Sequence, residues 1–100
     1  MSVYLALITM PDEGRKGAEA YAVGLQEIAK VMDYLGVKSL VQYAILGPFD
    51  FVSIVEAPGD EVMAKLSIYL RSLVGVQTTT YTAIPIENLM AILKEKTLPF

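Results

Sequence analysis

The two residue types that carry most protein chemistry near neutral pH are missing from this chain, which contains no histidine and no cysteine. Histidine is the side chain that titrates between pH 5 and 8 and the commonest metal ligand. Without cysteine there is no thiol nucleophile, thiolate metal site or disulfide. Ser–His and Cys–His nucleophile pairs are thereby excluded, and no phosphate-loop, G-x-G-x-x-G, H-E-x-x-H or calcium-loop pattern occurs. Oxygen chemistry remains. Adjacent carboxylates stand at Asp12/Glu13 and Asp60/Glu61, and each pair reads either as part of a hard-cation or acid–base site or as a solvated helix start. The favourable interaction of carboxylates with a helix N-terminus accounts for both pairs without a ligand. Oxygen donors suit magnesium, calcium or manganese rather than zinc or copper, and neighbouring helical positions do not converge. The expectation is no metal and no cofactor.

Tyr4, Gln42 and Ser53 share one strand parity, with Ala6 among them. They read either as the polar groups of a small-molecule cavity between the sheets of two subunits or as hydrogen-bonding residues in a dry subunit interface, which tyrosine often joins. The last strand offers two parities: on one reading Tyr81 and Thr79 join this set, and on the other Thr78, Thr80 and Thr82 take that face. Glu56 shares the parity of Val52 and Ile54 and is expected to reach water at a strand end. Gly47-Pro48-Phe49-Asp50 has turn chemistry: glycine suits a positive φ, proline presets the next φ, and the aspartate can accept from a nearby backbone N–H.

The elements that must position these residues follow from periodicity. Val3–Met10 is a strand apolar on both parities, hence buried on both faces, and Pro11 with Asp12-Glu13-Gly14 marks a loop. From Gly17 to Leu35, Ala18, Tyr21, Ala22, Leu25, Ile28, Ala29, Met32 and Leu35 recur at helical spacing, with Gly36 placed as a left-handed cap. Gly24, inside that helix, costs about 1 kcal/mol relative to alanine and points to a close helix–sheet approach. Ser39–Leu46 and Phe51–Ala57 flank the turn as an antiparallel hairpin. After Pro58-Gly59 a second helix runs to about Val74, burying Val62, Met63, Leu66, Tyr69, Leu70 and Leu73, and Gly75 ends it. Val76–Ile84 is a β-branched fourth strand, and Pro85 opens a short helix bearing Ile86, Leu89, Met90 and Leu93. Residues 97–100 form a tail.

The order β-α-β-β-α-β-α, with right-handed crossovers, predicts a ferredoxin-like α+β domain spanning residues 1–100, with both main helices on one face of an antiparallel sheet. The helical stripes cover only that face. Tyr4, Ala6, Ile8, Leu40, Ala44, Phe51 and Val55 are expected on the other, where something must cover them. Composition agrees: 54% of the 100 residues are apolar and mean hydropathy is +0.48, a moderate excess over ordinary soluble domains. No stretch has the roughly 18 consecutive, mainly apolar residues that a spanning helix needs, so the outlet is self-association. The net charge of −3 with scattered Lys and Arg argues against nucleic acid, and a cytoplasmic location is expected.

Leu46-Gly47-Pro48-Phe49-Asp50-Phe51-Val52-Ser53-Ile54-Val55-Glu56-Ala57-Pro58 resembles the hallmark segment of the GYD-domain family, small bacterial and archaeal proteins. Phe49 replaces the family tyrosine, which removes its phenol hydroxyl. The Asp12-Glu13-Gly14 loop, Leu35-Gly36 and the Thr-rich last strand also have counterparts. Basic residues of the first helix are absent at Val23 and Gly24, and the helix after Pro85 lacks a polar cap. The resemblance implies a dimeric α/β-barrel-like assembly in which two ferredoxin-like sheets pack face to face. It implies no particular reaction. The function expected is an oligomeric small-ligand-binding or regulatory module without catalysis. The alternatives are a cofactor-free monooxygenase- or isomerase-like enzyme relying on Tyr4, Asp50 and Glu56, and a structural assembly subunit.

Overall fold

The structure, a computed structural model, describes residues 1–11 and 17–95. The sequence's alternations resolve into strands β1 (Ser2–Thr9), β2 (Lys38–Ala44), β3 (Phe51–Ala57) and β4 (Gln77–Ala83). The helices are α1 (Ala18–Tyr34), α2 (Asp60–Tyr69) and α3 (Ile86–Glu95). The strands form one antiparallel sheet in the order β2-β3-β1-β4, the ferredoxin-like arrangement expected from two crossovers around a hairpin.

Helix ends follow local chemistry. α1 stops in a Schellman motif: the Val37 N–H donates to Met32 O (2.9 Å) and the Gly36 N–H to Asp33 O (3.1 Å), with Gly36 at φ +73°. That left-handed conformation is one glycine adopts without a Cβ penalty. α2 does not run evenly to Val74. Its last turn, Leu70–Val74, widens into a π-helix and closes at Gly75, φ +84°, whose N–H donates to Leu70 O (2.9 Å). Leu70 is fully buried while Leu73, expected in the core, is exposed, because the wider winding rotates it off the buried stripe.

The buried stripe of α1 also differs from expectation. Gly24, Ile28 and Met32 face the sheet, with Tyr21, Val31 and Leu35 packed alongside, while Ala18, Ala22, Leu25 and Ala29 are exposed. Gly24 lies on the contact line itself: a Cβ there would stand 2.5 Å from Met10 Cε. The helix passes close over the end of β1 because that position has no side chain.

The largest correction concerns the faces of the sheet. Tyr4, Ala6, Ile8, Phe51 and Val55 are not on the uncovered side; they form the core beneath α1 and α2 with Met63, Leu66 and Leu70. Ala44 pairs with Phe51 on the same parity, and Leu40 falls at a register shift between Ser39 and Val41. One face is indeed left open, but it carries the opposite parity. Its rows are Val41–Ile54–Leu5–Tyr81 and Tyr43–Val52–Leu7–Thr79, with Glu56, Val3 and Ala83 beyond. Both parities are apolar, so hydropathy could not separate them. Helix packing does: Tyr4, Ala6, Ile8, Phe51, Ser53 and Val55 lie under the helices, and Leu5, Leu7, Ile54 and Tyr43 stand on the open face.

Candidate functional site

The residues singled out by chemistry do not gather at one place. Tyr4 leaves β1 toward the helices, and its hydroxyl donates to Asp60 Oδ1 at 2.6 Å, at the first turn of α2. The carboxylate acceptor, with burial second, holds the Tyr4 phenol above its ordinary pKa. Asp60 thus ties a helix start to the central strand, a use that its sequence position at the helix start does not reveal. Its neighbour Glu61 is exposed. The Asp12/Glu13 pair lies outside the described residues, and no group of three acidic side chains converges among the described ones.

Ser53 is fully buried under the helices. Gln42 Nε2 donates to its hydroxyl at 3.3 Å, and Ser39 Oγ lies 3.5 Å away. On the far side of the sheet's centre, Ser67 and Thr78 hydroxyls meet at 2.8 Å. Ser53, Ser67 and Thr78 line a void between helices and sheet, with Ala6, Met63, Leu66 and Thr80, of about 10 Å³, roughly one water molecule's worth of space. An open groove of about 450 Å³ runs between the end of α1 and β2, past Asp33, Lys38, Ser39 and Gln42. Tyr81 and Thr79 do not join the Tyr4 set: they pair with Leu5 and Leu7 and belong to the open face, while Thr78, Thr80 and Thr82 pair with the covered residues of β1. Glu56 sits opposite Lys38 at one end of that open face, half-buried.

The turn between β2 and β3 is where the hallmark residues lie. Asp50 fastens it through both side chain and backbone. Its carboxylate Oδ2 accepts the Met10 N–H at 2.6 Å, its own N–H donates to Ile8 O at 2.9 Å, and its carbonyl accepts the Ile45 N–H at 3.1 Å. The aspartate therefore joins the hairpin loop to the exit of β1, satisfying a backbone donor beyond the sheet ladder. Phe49 is half-buried beside it. Gly47 departs from expectation: its φ lies outside the left-handed region, and open space surrounds the position of a Cβ. The loop spans several bends rather than one tight glycine-dependent turn, which leaves glycine unnecessary for backbone reasons.

The GYD-domain family model matches residues 4–93. This chain belongs to the GYD-domain family. A relative from Thermus thermophilus, named as a glutamine synthetase and cystathionine beta-lyase binding protein, is 35% identical over 95 residues, covering 94% of this chain and 100% of the relative. Among solved structures, the leucine response regulatory protein of Mycobacterium tuberculosis superposes with a TM-score of 0.58 at 13% identity, over 84% of this chain. This chain spans 51% of that protein's length. A hypothetical protein from Pyrococcus horikoshii gives a TM-score of 0.54 at 16% identity, covering 85% and 92% of the two chains. An ACT domain protein from Streptococcus pneumoniae gives 0.50 at 11% identity, covering 98% of each. At these identities the likeness is one of fold, ferredoxin-like throughout.

For the GYD-domain chain, then, the arrangement separates Tyr4, Asp50 and Glu56 among the core, the β1–hairpin junction and the open face. The site with unassigned chemistry is the open sheet face itself, whose β1, β2 and β3 residues sequence reasoning placed under the helices.

Proposed function

We propose that this protein is a binding or regulatory module that works through protein surfaces, as a cytoplasmic homo-oligomer assembled on its open sheet face. The observation that carries this reading is the uncovered pair of rows Val41–Ile54–Leu5–Tyr81 and Tyr43–Val52–Leu7–Thr79. A contiguous apolar face of this kind is characteristic of a protein–protein interface. The name of the Thermus relative supports a second layer of partners, metabolic enzymes met by the assembled module. Glutamine synthetase and cystathionine beta-lyase from the same genome are the first to test.

The test is affinity capture with each purified enzyme, followed by native mass spectrometry of the eluate. The expected result is a complex of the enzyme with the module in multiples of two. If the module elutes only as free protein with both enzymes, the enzyme-binding reading falls. If it flies as a monomer at every concentration, the assembly reading falls as well.

A further inference from the structure

Two residues after β4 the chain becomes α3. Ile86, Leu89, Met90 and Leu93 recur along it at spacings of three and four, forming one apolar stripe. They keep 63, 40, 48 and 65% of their surface exposed. No residue of α3 is buried, and no other described element packs against it. The helix has ten residues, fewer than the roughly 12–15 that an isolated helix needs to be even marginally stable in water. Its stripe therefore requires a surface that the described residues of a single copy do not provide.

The same chain carries a surface in need of cover. Four strands about 4.8 Å apart and about 23 Å long give the open face a flat footprint of about 440 Å². A standard stable interface covers about 800 Å² per partner. Successive strands also rotate by about 20–25°, so two such faces meet at their centres and part toward their corners. On β2, at one edge of the face, Val41 and Tyr43 are 38 and 64% exposed, whereas Leu5, Leu7, Val52 and Ile54 are half-buried within a single chain.

We infer that α3 is an exchanged arm: its apolar stripe docks on a second copy of this chain, over the β2 edge of that copy's open face, around Val41 and Tyr43. The inference rests on the reading of the open face as a self-association surface and adds what completes it. A two-fold axis parallel to the strands reverses the strand order, so β4 of one copy lies against β2 of the other. α3, leaving β4 through Ile84 and Pro85, starts beside the partner's exposed edge. One isologous, closed interface then satisfies both unpartnered surfaces of each copy, and the helix fills the corner that twisted sheets leave open.

Because α3 buries nothing in the single chain, charges on its stripe leave the fold intact and report on the arm alone. Leu89→Glu/Leu93→Glu is expected to raise the dimer dissociation constant at least 100-fold by sedimentation equilibrium. Glu87→Gln/Lys94→Gln, on the polar side, should leave it unchanged. The absence of cysteine permits a direct placement. A tagged copy carrying Leu89→Cys, mixed with an untagged copy carrying Tyr43→Cys, is expected to form a disulfide-linked heterodimer under mild oxidation. A dimer with an unchanged dissociation constant in the double-glutamate variant overturns the arm while leaving the sheet-face assembly standing. A Leu89→Cys/Tyr43→Cys variant that closes its bond within one chain overturns it too, since α3 would then fold back on its own sheet. A wild-type monomer up to high micromolar concentration overturns both.

Discussion

Asp50 and Tyr4 show how residues with the look of catalytic groups are consumed by the fold. The Asp50 carboxylate accepts the backbone N–H of Met10, whose side chain is buried. Asp50→Ala leaves that donor without its charged acceptor and is expected to cost about 1.5–3 kcal/mol in urea unfolding. Asp50→Asn, which keeps an acceptor oxygen, should recover part of the loss. Tyr4 offers a titration. Its pKa is raised in the folded chain, so the folded state holds the phenol proton more tightly than the unfolded state. The contribution of that hydrogen bond is fully present below the unfolded tyrosine value of about 10 and is lost as pH rises through the higher folded value. Melting temperature should therefore fall on the alkaline side of pH 10 in the wild type, and fall less steeply in Tyr4→Phe. Identical alkaline slopes for the two proteins would remove Asp60 as the cause.

At the scale of elements, the glycines divide by backbone conformation rather than by sequence context. Gly36 caps α1 at φ +73°, and Gly36→Ala is expected to destabilise by about 1–2 kcal/mol because a Cβ is strained in the left-handed region. Gly47, the first residue of the hallmark turn, has an ordinary φ and open space about it. Gly47→Ala should be neutral or stabilising by up to about 1 kcal/mol through a less flexible unfolded chain. Thermal melts of the two variants test both at once, and a Gly47→Ala loss as large as that of Gly36→Ala would show that the turn needs glycine after all. The same division explains Leu73. Leu70 and Leu73 stand three apart on a helical pattern, but the π-turn that leads into Gly75 keeps only the first in the core.

For the molecule as a whole, the reversal of sheet faces changes which substitutions dissociate and which unfold. Ala6 lies 3% exposed under the helices, so Ala6→Glu buries an unpaired charge and should unfold the chain. Leu5, one residue earlier, stands on the open face between Ile54 and Tyr81. Leu5→Lys is expected to give a folded monomer, with circular dichroism retained and light scattering reduced to the 10.9 kDa of one chain. If Leu5→Lys keeps the wild-type mass, the open face is not where copies meet.

The element order, strand limits within one or two residues, the hairpin, the Gly36 and Gly75 caps and the existence of one uncovered face were all legible in the sequence. Each depends on short-range signals: apolar spacing, turn residues and the handedness of crossovers. The face itself was not legible in hydropathy, because β1 is apolar on both parities and a helix can close over either. Choosing between them required the packing of α1 over Gly24 and Met10 and of α2 over Ala6 and Ser53, contacts between residues far apart in the chain. Asp50 carried a visible turn signal, yet its partner, Met10, lies forty residues upstream. Asp60 read as a helix start, and only the tertiary fold brought Tyr4 to within 2.6 Å of it. Local chemistry in this chain determines where elements begin and end, and long-range packing determines which side of each becomes core and which remains surface for another molecule.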